Sequence, residues 1–275
     1  MFYDFLRFPG FREKAFTLSY DDGTIHDLRL ANILNAHGIK ATFNLNSGSL
    51  GQQGKISREE AIICLLQKGH EIAVHGVEHL NLPAVPSSAA LRDIMEDRLS
   101  LEALSGGIVR GMAYAFGSYD DAVVAMLKAC GIAYARTVIT TENFGIPTDW
   151  LRMPTTCHHA NPHLSALTER FLAPATGPQY WYHTPKLFYV WGHSYEFADN
   201  DNWDIIEGLA EKVGGRDDVW YATNMEIYEY VKAYDSLIFS AKCDSVKNPS
   251  AIDVYFSLPK TGNVLVPAGK TVLLS

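Results

Sequence analysis

The sequence predicts an α/β protein built on a parallel sheet, open or closed into a barrel. Three observations carry that expectation. Short apolar runs that read as strands alternate with segments of helical periodicity from about Ala15 to Tyr234. The chemically unusual residues fall at the carboxyl ends of those strands, which in barrels of this kind is the active-site face. From residue 236 the pattern changes to short strands separated by Asn248-Pro249, Pro259 and Pro267, a small β-rich appendage (236–275) after a main body of residues 1–235.

The elements follow in order. Ala15-Phe16-Thr17-Leu18-Ser19-Tyr20 alternates and reads as the first strand, ending at Asp21-Asp22-Gly23. Asp27 to His37 has helical spacing, with Gly38 as its stop. Lys40 to Asn46 is a second strand. Ser57-Arg58-Glu59-Glu60 has the form of a capping box and opens a helix that Gly69 ends. Glu71-Ile72-Ala73-Val74 is a third strand and delivers His75. A long helix runs from Ser88 to about Leu104, a short strand covers Met112 to Ala115, and Asp120 or Asp121 caps a helix ending at Gly131. Ala133 to Val138 and Leu187 to Trp191 are further strands, the latter ending at Gly192-His193. Thr140 to Pro185 is proline-rich and reads as loop, with Tyr180-Trp181-Tyr182 packing beneath it or stacking on a ligand. Val219 to Ala222 is a short strand, and Asn224 caps a last helix through Tyr234.

The chain has 275 residues, 47% of them hydrophobic and 20% charged, enough for one large globular domain with an appendage. A net charge of -8 argues against nucleic acid or an anionic membrane surface as the main partner. No apolar run approaches the roughly 20 residues that span a bilayer. The opening Met1-Phe2-Tyr3-Asp4-Phe5 lacks the basic segment and apolar core of an export signal, so a cytoplasmic location is expected unless the chain is trimmed. The four cysteines, Cys64, Cys130, Cys157 and Cys243, are far apart and suggest no disulfide framework.

The chemistry centres on two stretches. In Asp21-Asp22, neighbouring side chains of an extended chain point to opposite sides, so one carboxylate can face a metal and the other a reacting water. His75-Gly76-Val77-Glu78-His79 sets two imidazoles four residues apart. Two histidines and one carboxylate make a site with open positions, suited to zinc or another divalent transition metal. Cys157-His158-His159 is expected to be structural or substrate-facing rather than a second metal site.

Asp21-Asp22-Gly23 and His75-x-x-x-His79 resemble the first two motifs of the polysaccharide deacetylases, the carbohydrate esterase family 4 or NodB homology domain. The resemblance covers roughly residues 15 to 235. It implies a distorted (β/α)7 TIM-like barrel, with Asp21 as general base and Asp22, His75 and His79 as metal ligands. The third motif survives only as Phe116-Gly117, where the backbone N–H of Phe116 stabilises the oxyanion and the family's arginine is missing. Arg152 is the expected stand-in. Asp149-Trp150 resembles the fourth motif, a carboxylate partner for the catalytic histidine and an aromatic wall. Trp191-Gly192-His193 resembles the fifth, with His193 as general acid. Tyr20, Trp150 and Tyr195 are the expected substrate-facing aromatics.

The implied activity is hydrolysis of N-acetyl groups on a sugar or polysaccharide, with an N-acetylated carbohydrate as partner. Two rivals stand beside it: a related C–N hydrolase acting on a non-carbohydrate or cyclic amide, and a carbohydrate-binding protein that has lost catalysis.

Overall fold

In the computed structural model, which describes residues 3–174 and 184–274, seven parallel strands form the centre. The Tyr180-Trp181-Tyr182 triplet lies outside the described residues. The strands are Lys14–Asp21, Thr42–Leu45, Glu71–Val74, Gly111–Ala113, Tyr134–Thr140, a broken sixth strand of Met153–Thr155 and Cys157–His158, and Lys186–Gly192. Each pairs with the next. The sixth strand closes the ring: Met153 registers with Arg136 on one side and Cys157 with Val190 on the other, and Lys186–Gly192 pairs back with Lys14–Asp21. The result is an α/β barrel with helices outside, as expected. A short extra strand, Val219–Tyr221, lies alongside the beginning of the first strand.

Barrel strands are covered on both faces, so they need not alternate. Lys14–Asp21 is buried at every position. Phe16, Leu18, Phe43, Leu45, Val74, Phe188 and Val190 belong to one continuous core with the inner faces of the helices. Burial of this kind stabilises by about 1.5–3 kcal/mol per large side chain. The capping box forms: Ser57 Oγ accepts from the Glu60 N–H at 3.1 Å, and Glu60 accepts from the Ser57 N–H at 2.7 Å. At the last helix, Asn224–Asp235, the cap is Thr223, one residue before the expected Asn224.

The main departure from expectation is in the proline-rich stretch. It contains the sixth strand and a helix, Leu164–Leu172, that buries Leu164, Leu167, Thr168 and Phe171. Pro154 lacks the N–H a strand interior normally uses, which hides this strand in the sequence. The tail forms two small antiparallel sheets. One joins Ile238–Phe239, Ser245–Lys247 and Thr271–Leu273. The other joins Val254–Leu258 and Gly262–Val266 to Leu6–Arg7, so the start of the chain pairs with the tail. Tyr230, on the last helix, fastens this second sheet to the barrel by donating to the Arg7 carbonyl at 2.5 Å and accepting from the Tyr255 N–H at 3.0 Å. Among the described residues, no helix is long and apolar enough to cross a membrane.

Candidate active site

Asp21 closes the first strand, and the residue is only 2% exposed. A carboxylate so enclosed needs partners. Asn44, on the next strand, donates to Oδ1 at 2.8 Å, and the Arg136 guanidinium forms an ion pair with Oδ2. Arg136 comes from the middle of the fifth strand and stacks on Trp191, its central carbon 4.4 Å from the ring centroid. Asp22 departs from the strand geometry assumed above. Its φ of 80° turns the chain, so both carboxylates serve one site instead of facing apart. Asp22 Oδ1 lies 3.5 Å from Nε2 of His75 and 3.6 Å from Nε2 of His79, while Asp21 Oδ2 is 3.9 Å from the same His75 atom.

The strand end that carries His75 is held by Asp97 on the helix Ser87–Ser105, which accepts the backbone N–H groups of Ser47 at 2.8 Å and of His75 and Gly76 at 2.9 Å each. Asn46 donates to the carbonyls of His75 and Gly76. Gly76 has φ 86°, and a Cβ there would stand 2.3 Å from Asp93 Oδ2, so only glycine fits. The His75 ring donates from Nδ1 to the Ala113 carbonyl at 2.9 Å, which leaves Nε2 a bare lone pair turned toward Asp22. That is the tautomer a metal ligand requires. His79 has φ 55°, and its ring lies against Phe116, centroids 4.5 Å apart. Phe116 also has a left-handed backbone, φ 57°. Three non-glycine residues in this conformation around one site mark strain of about 1–3 kcal/mol each.

One ligand atom each from Asp22, His75 and His79 lies within 4.8 Å of the others. Burial opposes charge on Asp22, but the close approach of His75, with His193 and His79 nearby, outweighs it and holds the carboxyl well below its usual range. Burial also lowers the affinity of His75 for a proton, yet Asp21 and Asp22 together raise it. His79 is pushed down, by burial first and then by His75.

His193 follows the seventh strand and faces Asp21 from the other side, Nε2 to Oδ2 4.0 Å. Its Nδ1 is 3.2 Å from Glu196 Oε1. Burial works against its protonation; the Glu196 contact and the Asp21 and Asp22 charges overcome that and raise its pKa. The Tyr195 ring centroid lies 5.1 Å from that of His193.

Four expected residues sit elsewhere. Tyr20 precedes Asp21 on the strand, so it points to the opposite face; it is fully buried, stacks on His159 and lies tilted against Phe197. Trp150 is a core residue packed edge-on against Tyr228 at 5.2 Å. Arg152 pairs with Asp149 at 2.8 Å and Asp121 at 2.6 Å, so it is not Asp21's arginine; Arg136 is. Asp149 accepts from the Leu151 N–H and from Arg152, and the carboxylate at His193 is Glu196. Arg136 had a sequence signal: an arginine inside an apolar strand is rarely buried unless paired.

The fold and this face define an α/β-barrel protein with a candidate metal-binding group at its strand ends. The polysaccharide deacetylase family model matches residues 9–135, the stretch holding the first four strands, both aspartates, His75 and His79. No curated protein matches the sequence. Among solved structures, a proposed polysaccharide deacetylase from Mycobacterium smegmatis is 16% identical, with 84% of this chain and 94% of that one covered and a TM-score of 0.59. A family 4 carbohydrate esterase from Streptomyces lividans, solved with acetate, is 12% identical over 77% and 93% of the two chains, TM-score 0.52. A mutant of a family 4 pseudoenzyme from Bacillus anthracis, described as having restored enzymatic activity, is 17% identical over 78% and 67%, TM-score 0.50. At these identities the likeness is one of fold. The chain spans 44% of the length of a polysaccharide deacetylase from Bacillus cereus that it matches at 23% identity over half of its own residues, with a TM-score of 0.44.

Proposed function

We propose that the protein is a metal-dependent hydrolase that removes acetyl groups from the nitrogen of an N-acetylated carbohydrate. The observation that carries this reading is convergence. Asp22 Oδ1 and the Nε2 atoms of His75 and His79 meet in one place, with an arginine-paired carboxylate on one side and a carboxylate-paired histidine beyond it.

In this reading Asp22, His75 and His79 hold the dication, zinc or another divalent transition metal. The donor set fits: two imidazoles and one carboxylate leave positions open, and the His75 tautomer is already the ligating one. When bound, the ion supplies Lewis acidity that favours deprotonation of water and polarises the acetyl carbonyl. Asp21, fixed by Asn44 and Arg136, takes the proton from water as its oxygen attacks the carbonyl carbon. The Phe116 backbone N–H donates to the developing oxyanion. The C–N bond then breaks as His193 gives a proton to the departing nitrogen, leaving acetate and an amine. General acid–base help of this kind is worth about 10²–10⁴-fold. A cleft of about 500 Å³ beside the group is lined by Asn46, Ser49, Gln52, Lys55 and Glu78, polar groups suited to a hydroxyl-rich ligand.

The rival in which catalysis is lost drew on the missing arginine. Arg136 at Asp21 takes that support away. The test is metal analysis of the purified protein joined to acetate-release assays on N-acetylated sugars, with cyclic amides and ureides as the contrasting panel. One equivalent of metal and acetate release from a sugar are expected. Protein that stays metal-free in excess zinc, or turnover confined to the cyclic amides, overturns the proposal.

A further inference from the structure

A second group of two histidines and a carboxylate lies beside the first, and the function above does not use it. His158 and His159, at the end of the sixth strand, each bring Nε2 to Oε2 of Glu196, at 3.1 and 2.9 Å in bent contacts. Glu196 sits in the short helix Ser194–Asp199 that begins right after His193, and its other oxygen, Oε1, is the one 3.2 Å from His193 Nδ1.

The ring nitrogens decide what this group can do. His158 Nδ1 accepts from the Ala160 N–H at 3.1 Å, so it carries no proton, and in the neutral ring the proton is on Nε2. His159 Nδ1 is buried with no hydrogen-bond partner among the described residues, and it is pressed against Gly192, where even a Cβ would stand 2.0 Å away. A proton on that nitrogen has neither room nor acceptor, so His159 also carries its proton on Nε2. Burial first, then the neighbouring His158, keep the ring neutral against the pull of Glu196, its pKa pushed down; the ring also stacks on Phe197 at 4.1 Å. On both rings the nitrogen nearest Glu196 therefore carries an N–H, not a lone pair, in a close contact bent out of hydrogen-bond alignment. That is the wrong tautomer for a metal and the right one for holding an ionised carboxylate. An acceptor-only carboxylate in turn fixes the proton of His193 on Nδ1 and leaves Nε2 facing Asp21 and the cleft.

We propose that Glu196, braced by His158 and His159, is the positioning carboxylate of His193. The inference rests on the reading of His193 as general acid, but its structural half does not. Gln at 196 has one acceptor and one donor, so it cannot accept from the brace and from His193 together.

The experiment is Glu196→Gln in the full chain, followed two ways. In 15N-histidine NMR the wild type should show Nε2–H at His158 and His159, and the His193 titration midpoint should fall by about one unit in the variant. In kinetics kcat should fall about 10–100-fold with KM unchanged and bound metal still at one equivalent. His158→Asn, at a partly exposed ring, should give the same changes in smaller size. An unmoved His193 midpoint, Nδ1–H tautomers at His158 and His159, or loss of a second metal equivalent in Glu196→Gln each overturns the assignment. A wild type with no turnover on any substrate overturns the hydrolase reading alone, because the tautomer and titration readouts still decide on Glu196.

Discussion

The two histidine–carboxylate groups have the same composition and opposite wiring. In each, one atom from every residue lies within 4.8 Å of the others. At the first, the far nitrogen of His75 is occupied by a carbonyl acceptor, which strips the near nitrogen of its proton. At the second, the far nitrogen of His158 is occupied by an N–H donor, which puts a proton on the near one. A residue census cannot separate the two; the backbone behind each imidazole does. The tautomer at the first group suits a cation, and the one at the second suits an anion.

The largest effects should come from breaking the first group. His75→Ala should remove bound metal and lower kcat/KM by about 10³-fold or more; elemental analysis alongside acetate release reads both. Asp21→Asn should keep the metal and lose about 10²–10⁴-fold in kcat, as expected for a base that is not a ligand. Metal lost in Asp21→Asn would reverse the roles of the two aspartates; metal kept in His75→Ala would overturn the ligand set. The wild type should titrate to one metal equivalent, not two, and His158→Asn should leave that count unchanged. A second tight equivalent would erase the contrast between the groups.

A smaller, pH-dependent effect should appear beneath the second group. Asp27 is sealed from solvent, and Ser194, next to His193, donates to its Oδ1 at 2.5 Å. Burial raises its pKa from 3.8 to about 8, against the Ser194 hydrogen bond. The folded chain therefore keeps this proton at neutral pH while the unfolded chain has released it. The unfolded state binds fewer protons between about pH 4 and 8, so this contribution to stability is fully present below that window and declines through it. Asp27→Asn fixes the neutral form and should remove the decline. Its stability relative to wild type should improve by on the order of a few kcal/mol across the window in urea melts. Parallel curves for the two proteins would show that Asp27 ionises freely.

The first group was legible because its residues come from two short motifs at strand ends, where alternation and a following glycine mark the geometry. The barrel was legible for a similar reason, through repeated strand–helix alternation. The support was not. Arg136 reaches Asp21 across the barrel from the fifth strand, a contact fixed by closure and invisible to local spacing. Glu196 lies only three residues after His193, but its role depends on His158 and His159, whose strand carries Pro154 and is interrupted at Thr156. Tyr20 adjoins Asp21, but on a strand the next residue faces away; Trp150, expected as an aromatic wall from the motif resemblance, packs into the core instead.

The smallest effect separates Glu196 from the residue that sequence order puts in its place. Asp149 is half-exposed and spends its two oxygens on the Leu151 N–H and on Arg152, whose other partner, Asp121, is almost fully exposed. Exposed pairs of this kind contribute about 0–1 kcal/mol. Asp149→Ala should therefore lower the melting temperature only slightly and leave kcat, KM and the His193 titration midpoint at their wild-type values. Glu196→Gln, a more conservative change in shape, should move kcat and the midpoint together. If Asp149→Ala lowers kcat tenfold or shifts that midpoint, the loop bearing Asp149 closes onto His193 during turnover, and the carboxylate at the acid is shared between two segments.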